Sequence, residues 1–143
     1  MRKLAVTLVV LVALTAIATA SRYLFGTEFM PYHAAVAGSA WRDIDPRMQV
    51  LVLAMMKVMG AGNIAVATAL LLFAWQAAKG VAWAGWAALA VGACLWVPTL
   101  YATFAARAAN PNAQTPAAMT ALALSLLAIA AALLWLDTRR RQP

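Results

Sequence analysis

The sequence predicts an all-α integral membrane protein: a four-transmembrane-helix antiparallel bundle with an ordered outer loop between helices 1 and 2. Three observations support this fold, which forms a single domain over residues 1–143. Apolar residues make up 66% of the chain, charged residues only 10%, and the mean hydropathy is +0.82. Four apolar blocks are each long enough to cross a hydrocarbon core, which takes about 20 residues at ~1.5 Å each. Basic residues collect at the edges of these blocks, where they face lipid headgroups.

The first predicted helix covers residues 4–25 and carries no charge between Lys3 and Arg22. The same segment also fits a cleavable secretory signal, because basic residues, an apolar run and the small residues 18–20 are typical of one. The apolar character continues through Phe25, beyond the possible cleavage point. We therefore interpret the segment as a retained helix, and whether it is ever cleaved stays open.

The second predicted helix covers residues 47–75 and has a clear start signal, since Asp45 is a capping residue and Pro46 suits the first helical position. Lys57 lies about ten residues into it, ~15 Å along the axis, which predicts a place near the bilayer midplane. A lysine there costs roughly 2.5 to 3.5 kcal/mol on insertion scales, and so indicates a site. The alternative is that Lys57 reaches outer headgroups or caps backbone carbonyls.

Small residues follow Lys57 along the same helix. Gly60, Asn63 and Ala67 fall at i, i+3 and i+7, on one helix face, and such a face is typical of a close helix crossing in lipid. Packing is therefore one interpretation of this face. The other is that Gly60 and Gly62 open space beside Asn63 for a ligand.

The third and fourth predicted helices cover residues 81–104 and 116–136, and the fourth carries no charge. Thr115 before Pro116 predicts the start of the fourth helix, as a capping residue followed by proline. Cys94, the only cysteine, lies inside the third block. This excludes an internal disulfide and a cysteine-based zinc site.

The link between helices 1 and 2, residues 26–46, is long for so small a protein, and such loops are usually functional or partly structured. If it folds into the mouth of the bundle, Glu28 and His33 approach Lys57 and form one outward-facing cavity. The alternative is an interfacial histidine bonded to a backbone carbonyl. The candidate ligand-binding residues are Lys57, His33, Glu28, Asn63, Tyr32, Trp41 and Tyr101.

The distribution of basic residues predicts the orientation. With both termini cytoplasmic, six Lys and Arg residues lie inside and four lie in the outer loops. The inner set includes residues 139–141, an undiluted arginine run, whereas three of the four outer arginines share their loop with Glu28, Asp43 and Asp45. We expect a bacterial cytoplasmic membrane protein with both termini in the cytoplasm.

The sequence carries no recognisable catalytic, phosphate-binding or metal-binding motif, and one histidine cannot supply paired haem ligands. We expect no catalytic residue, no metal and no cofactor. Because the formal charge of +7 lies at the membrane edges, nucleic acid is not expected as a partner. The expected partners are membrane lipids, and a second copy or a partner membrane subunit.

Two classes of function stay open at this level. The first is a lipid- or amphiphile-binding module, or a subunit of a larger membrane assembly. The second is a small transporter or membrane-embedded enzyme that uses Lys57 with the His33 loop on an anionic or lipid-like substrate. We favour the first, because one isolated lysine does not make a relay and catalytic sites show several convergent polar groups.

Overall fold

The computed structural model describes residues 1–140, and these residues form five α-helices and one short 3₁₀ helix. The α-helices are α1 (Arg2–Phe25), α2 (Pro31–Ala37), α3 (Pro46–Ala78), α4 (Ala84–Ala109) and α5 (Ala117–Arg139), and the 3₁₀ helix is Trp41–Asp43. Helices α1, α3, α4 and α5 are long and apolar enough to span a membrane. The predicted four-helix membrane fold is thus confirmed.

The four long helices form a closed ring in which α1 packs on α3 and α5, and α4 packs on the same two helices. Much of the core is alanine, with Val9, Val12, Leu70 and Leu127 as the largest fully buried side chains. Lipid is as apolar as leucine, so helix association in a bilayer depends on close van der Waals packing. The small core residues allow this close approach.

Two glycines mark the closest helix contacts. A Cβ added to Gly60 of α3 would lie 2.8 Å from Cγ of Leu24 on α1, and one added to Gly92 of α4 would lie 2.2 Å from Cδ1 of Leu127 on α5. At Gly60 the close atoms include the Ala20 backbone carbonyl of α1, at 3.2 Å, so a side chain there would press the helices apart, whereas at Gly92 the Leu127 side chain would have to shift. Gly62, in contrast, faces open space.

The two predicted capping residues have different outcomes. Asp45 caps α3, because its carboxylate accepts a hydrogen bond of 2.8 Å from the Arg47 amide. The predicted cap at Thr115 is wrong. Helix α5 begins at Ala117, Pro116 occupies the capping position, and within residues 1–140 the buried Thr115 hydroxyl has no hydrogen-bond partner. The Thr115 amide instead closes a tight turn by donating to the Ala113 carbonyl, at 2.9 Å.

The loop over residues 26–46 is ordered and contains α2 and the 3₁₀ helix. Phe29 is buried and packs edge-on against Trp41, with ring centroids 4.9 Å apart. The Asn110 side chain, between α4 and α5, donates a 2.7 Å hydrogen bond to the Ala35 carbonyl of α2. We call this side of the bundle the loop end.

The opposite side, which we call the terminal end, holds the start of α1 and the end of α5. The Arg2 guanidinium lies 3.1 Å from the Asp137 carboxylate and packs beside Gly80, whose positive φ of 90° turns the chain between α3 and α4. Lys79 lies over the Trp75 ring and Arg139 over the Trp135 ring, at 3.3 and 3.9 Å from the ring centroids. This pattern of basic residues with tryptophan is typical of a membrane interface.

Candidate functional site

Lys57 caps the end of α1. Its Nζ donates hydrogen bonds to the carbonyl of Leu24 and, at 3.2 Å, to the carbonyl of Gly26. The last carbonyls of a helix have no partner within that helix and carry partial negative charge. The ammonium group therefore satisfies and neutralises this helix terminus, as in the carbonyl-capping alternative.

The length of α3 explains where Lys57 lies. Helix α3 begins 11 residues before Lys57, at Pro46, so about 16 Å of α3 extends past the level at which α1 ends. The prediction that Lys57 lies near the bilayer midplane assumed that α3 enters the bilayer at its first residue. The structure places Lys57 level with the end of α1 instead of level with its middle.

His33 and Tyr32 belong to α2, where each has a local partner. The His33 Nδ1 accepts a 3.3 Å hydrogen bond from the Met30 amide and so caps α2, and burial lowers the pKa of the imidazole. The Tyr32 hydroxyl lies 2.6 Å from the Tyr23 hydroxyl of α1. Burial and this hydrogen bond raise the pKa of Tyr32. The Tyr32 hydroxyl and the His33 imidazole are therefore both neutral at pH 7.

The remaining predicted residues are spread over the structure. Trp41 packs on Phe29, and its carbonyl accepts a 2.8 Å hydrogen bond from the Gln49 side chain. Glu28 is exposed, and Tyr101 is 76% exposed on the outer face of α4. Asn63 is 4% exposed and is directed into the bundle. The predicted site residues therefore do not form one cluster. They lie at two helix caps, in the loop, on the surface and in the bundle interior.

A cavity of about 110 Å³ lies between the four long helices, towards the loop end. All four long helices contribute side chains to the lining of this cavity. Of the predicted site residues, Asn63 lines it. The lining residues are Thr15, Ala16, Thr19, Tyr23, Met59, Asn63, Trp96, Thr99, Pro116, Met119, Thr120 and Ala123. None of these side chains is charged.

The threonine hydroxyl hydrogens around the cavity are already engaged by backbone carbonyls of the same helices, and the Tyr23 hydroxyl is paired with that of Tyr32. Thr15 donates to Val12 at 2.8 Å, Thr19 to Thr15 at 2.9 Å, Thr99 to Leu95 at 2.7 Å and Thr120 to Pro116 at 3.1 Å. The Asn63 amide donates to the Met59 carbonyl at 2.9 Å. A hydroxyl oxygen that donates its hydrogen keeps acceptor lone pairs. The cavity is therefore a neutral site rich in hydrogen-bond acceptors.

Most of this cavity is not among the residues predicted from the sequence, although α1 contains a signal for it. Thr15, Thr19 and Tyr23 occur at i, i+4 and i+8, which places three polar side chains on one face of an otherwise apolar helix. Isolated threonines in a membrane helix satisfy themselves by bonding to their own backbone, so each alone is uninformative. Their shared spacing is the informative feature.

A smaller apolar groove of about 50 Å³ adjoins the cavity between α1 and α5. It shares Thr15, Met119 and Ala123 with the cavity and is otherwise lined by Leu11, Val12, Leu122 and Leu126. Leu11, Leu122 and Met119 are about half exposed on the lipid-facing surface. The groove therefore connects the polar cavity with the surroundings of the bundle.

Fold and cavity together define a class: a four-span integral membrane protein with an uncharged polar cavity between its helices. No family model, curated protein or solved structure matches the chain. The geometry and chemistry of the cavity are consequently the basis for what it can hold.

Proposed function

We propose that this chain is a membrane module that binds an amphiphile in the cavity between its four long helices. The observation that carries the proposal is convergence: Thr15 and Thr19 of α1, Asn63 of α3, Thr99 of α4 and Thr120 of α5 line one cavity. Polar groups inside a membrane bundle are costly unless they have partners. Backbone carbonyls already take the threonine hydroxyl hydrogens, and a ligand in the cavity would use the acceptor lone pairs that remain.

The size and opening of the cavity favour a small polar head on a longer apolar molecule. A cavity of about 150 Å³ holds one benzene molecule, so 110 Å³ suits a head of a few heavy atoms. The apolar groove between α1 and α5 provides a path from the cavity towards lipid. An amphiphile could enter through this path without crossing water.

The second class of function lacks comparable support. A transporter or enzyme built on Lys57 and His33 would bring these side chains to one cavity. Lys57 instead caps α1 and His33 caps α2, and neither side chain lines the cavity described above.

The proposed setting is a bacterial cytoplasmic membrane with both termini in the cytoplasm. The basic and tryptophan-rich terminal end, with Arg2, Lys79 and Arg139, supports that orientation. Membrane lipids are the proposed partners. A second copy or a partner subunit would pack on the apolar outer faces of the helices.

Two threonines of α1 allow a matched test of the amphiphile site. Thr7 and Thr19 both donate to the carbonyl four residues earlier in α1, at 3.0 and 2.9 Å, but only Thr19 lines the cavity. The chain is purified in nanodiscs, and bound amphiphiles are counted by native mass spectrometry. We expect Thr19→Leu, which adds a bulkier apolar side chain to the cavity lining, to reduce the retained amphiphile about tenfold, and Thr7→Leu to leave it unchanged. Equal retention in the two variants would refute the proposal.

A further inference from the structure

We infer that the amphiphile has an uncharged hydroxyl headgroup and a single aliphatic chain that leaves the cavity between α1 and α5. This inference rests on the proposed function and specifies its ligand class. The headgroup follows from the chemistry of the cavity, and the path of the chain follows from the position of the adjoining groove.

The headgroup follows from the hydrogen bonds that the cavity has left to make. The four threonine hydroxyls donate to backbone carbonyls, so the oxygens of these cavity-lining residues keep lone pairs that can accept. The Asn63 side chain keeps its carbonyl oxygen and a second amide hydrogen after bonding to Met59. A ligand hydroxyl can donate to these acceptors and accept from the amide.

Charged headgroups do not match this lining. A carboxylate or phosphate would meet several acceptor oxygens and no cationic side chain, since Lys57 is engaged at the end of α1. A quaternary ammonium has no hydrogen to donate to the threonine and asparagine oxygens and meets no anionic side chain in this lining, so only the rings of Tyr23 and Trp96 could attract it. An ion held without a counter-charge at low dielectric is disfavoured, so a neutral donor is selected.

The chain path follows from the order of residues along α1 and α5. Thr15 and Ala123 line both the cavity and the groove, and the groove continues to Leu11 on α1 and Leu126 on α5. Leu11 lies about 6 Å from Thr15 along α1, towards the terminal end. A chain in this groove therefore runs parallel to the helices and away from the loop end. That direction matches a head near one interface and a tail towards the bilayer centre.

The test uses three photoreactive probes with the same diazirine-bearing twelve-carbon chain and different heads: a primary alcohol, a carboxylate and a trimethylammonium group. Each probe is irradiated with the full-length chain in nanodiscs, and labelled peptides are mapped by mass spectrometry. We expect the alcohol to label residues 11–15 and 119–126, with competition by excess unlabelled dodecanol. We expect labelling there by either charged probe to be about tenfold weaker.

Thr15→Val tests the headgroup contact with little change of shape, because valine is close to threonine in size. Thr15 lies where cavity and groove meet and is exposed on α1, so the variant should fold. We expect it to reduce alcohol labelling severalfold without changing labelling by the charged probes. Thr7→Val, with the same chemistry outside the cavity, should match the unaltered protein.

The outcomes separate the inference from the proposed function. If a charged probe labels the same residues as strongly as the alcohol, the headgroup inference is wrong and the amphiphile site stands. If the alcohol labels the cavity but not residues 11 and 126, the chain path is wrong. If all three probes label the four helices evenly, without competition, the inference and the proposed function both fail.

Discussion

At the scale of single residues, Lys57 shows that the meaning of a charged side chain depends on where the neighbouring helix ends. Its position in the sequence predicts a costly charge near the midplane, and the structure gives it the carbonyls of Leu24 and Gly26. The carbonyl-capping alternative could be stated from the sequence. Choosing it required the relative height of α1 and α3, which is a tertiary quantity that no local pattern contains.

Replacing Lys57 with methionine should loosen the end of α1 without unfolding the bundle. The substitution keeps an unbranched stem of similar length and removes the ammonium that caps the Leu24 and Gly26 carbonyls. We expect a loss of about 1 to 2 kcal/mol, the lower part of what two net hydrogen bonds of about 0.5 to 1.5 kcal/mol each contribute, because the Lys57 side chain is exposed. Hydrogen exchange should accelerate at Gly26, while amphiphile retention stays unchanged because Lys57 does not line the cavity. Unchanged exchange at Gly26 would show that the cap contributes nothing.

His33 should make the order of α2 depend on pH. Burial lowers its pKa below 6.5, so the unfolded loop binds the proton more readily than the folded one. The stabilisation is fully present above pH 6.5 and is lost as the pH falls through the lowered pKa of the folded state. Protonation also removes the Nδ1 acceptor from the Met30 amide.

The measurement is protease sensitivity of residues 31–37 between pH 8 and pH 5, with a protease active across that range. We expect sensitivity to rise at the acidic end. Tyr32, in ring contact with His33, does not titrate in this interval because its pKa is raised. His33→Gln supplies a non-titrating acceptor at the same capping position and should abolish the pH dependence. A variant that keeps the pH dependence would assign it to another group.

At the scale of helices, hydropathy and caps predict the elements well, whereas the contacts between helices are harder to predict. The Asp45 cap was predicted correctly because a side chain and its own helix start are local partners. Thr115 carries the same local signal, yet a turn through Ala113 takes its place. The sequence of α1 shows a polar stripe at helical spacing, formed by Thr15, Thr19 and Tyr23. The polar residues that share the cavity with this stripe lie on other helices, so the stripe alone does not predict the cavity.

Gly60 and Gly62 of α3 offer a matched comparison of a contact glycine and a free one. In water, a helix with glycine at an interior position is less stable than the same helix with alanine there, by roughly 0.5 to 1 kcal/mol. A Cβ at Gly60 would lie 2.8 Å from the Leu24 side chain and 3.2 Å from the Ala20 carbonyl, while one at Gly62 meets nothing within 4 Å.

We expect Gly62→Ala to leave the free energy of unfolding unchanged or to raise it by up to about 1 kcal/mol. Gly60→Ala should lower it by about 1 to 2 kcal/mol, because α1 must move away from α3. Unfolding in mixed micelles, followed by circular dichroism, compares the two variants under one condition. The same effect from both substitutions would mean that α1 and α3 do not approach at Gly60.

At the scale of the whole molecule, the ring of helices explains why the chain needs few polar contacts outside the cavity and loop. The bundle packs alanine-rich surfaces, and the Arg2–Asp137 ion pair joins the first and last long helices at the terminal end. The ring closes between α1 and α5, the same pair that borders the apolar groove. The route proposed for the ligand therefore passes between the two helices that are farthest apart in sequence.

The orientation of the molecule can be tested with reporters at its two ends. The ion pair between Arg2 and Asp137 fixes the start of α1 and the end of α5 on one side, so a single choice decides the whole topology. Basic residues are retained in the cytoplasm during insertion, and the described part of the terminal end carries Arg2, Lys3, Lys79, Arg139 and Arg140. We therefore expect a fluorescent reporter fused after Pro143 to be active only from the cytoplasm.

A reporter inserted near Ser39, between α2 and the 3₁₀ helix, should be active only outside. Neutralising Arg2 and Lys3 together should produce a mixture of orientations, since it removes two of the six inner charges and leaves the four outer ones. Neutralising Arg42 and Arg47 at the loop end is the matched control, because it increases the bias and should keep one orientation. Activity of the Ser39 reporter in the cytoplasm of the unaltered chain would reverse the topology. The cavity would then lie towards the inner leaflet, with its lining and its ligand chemistry unaffected.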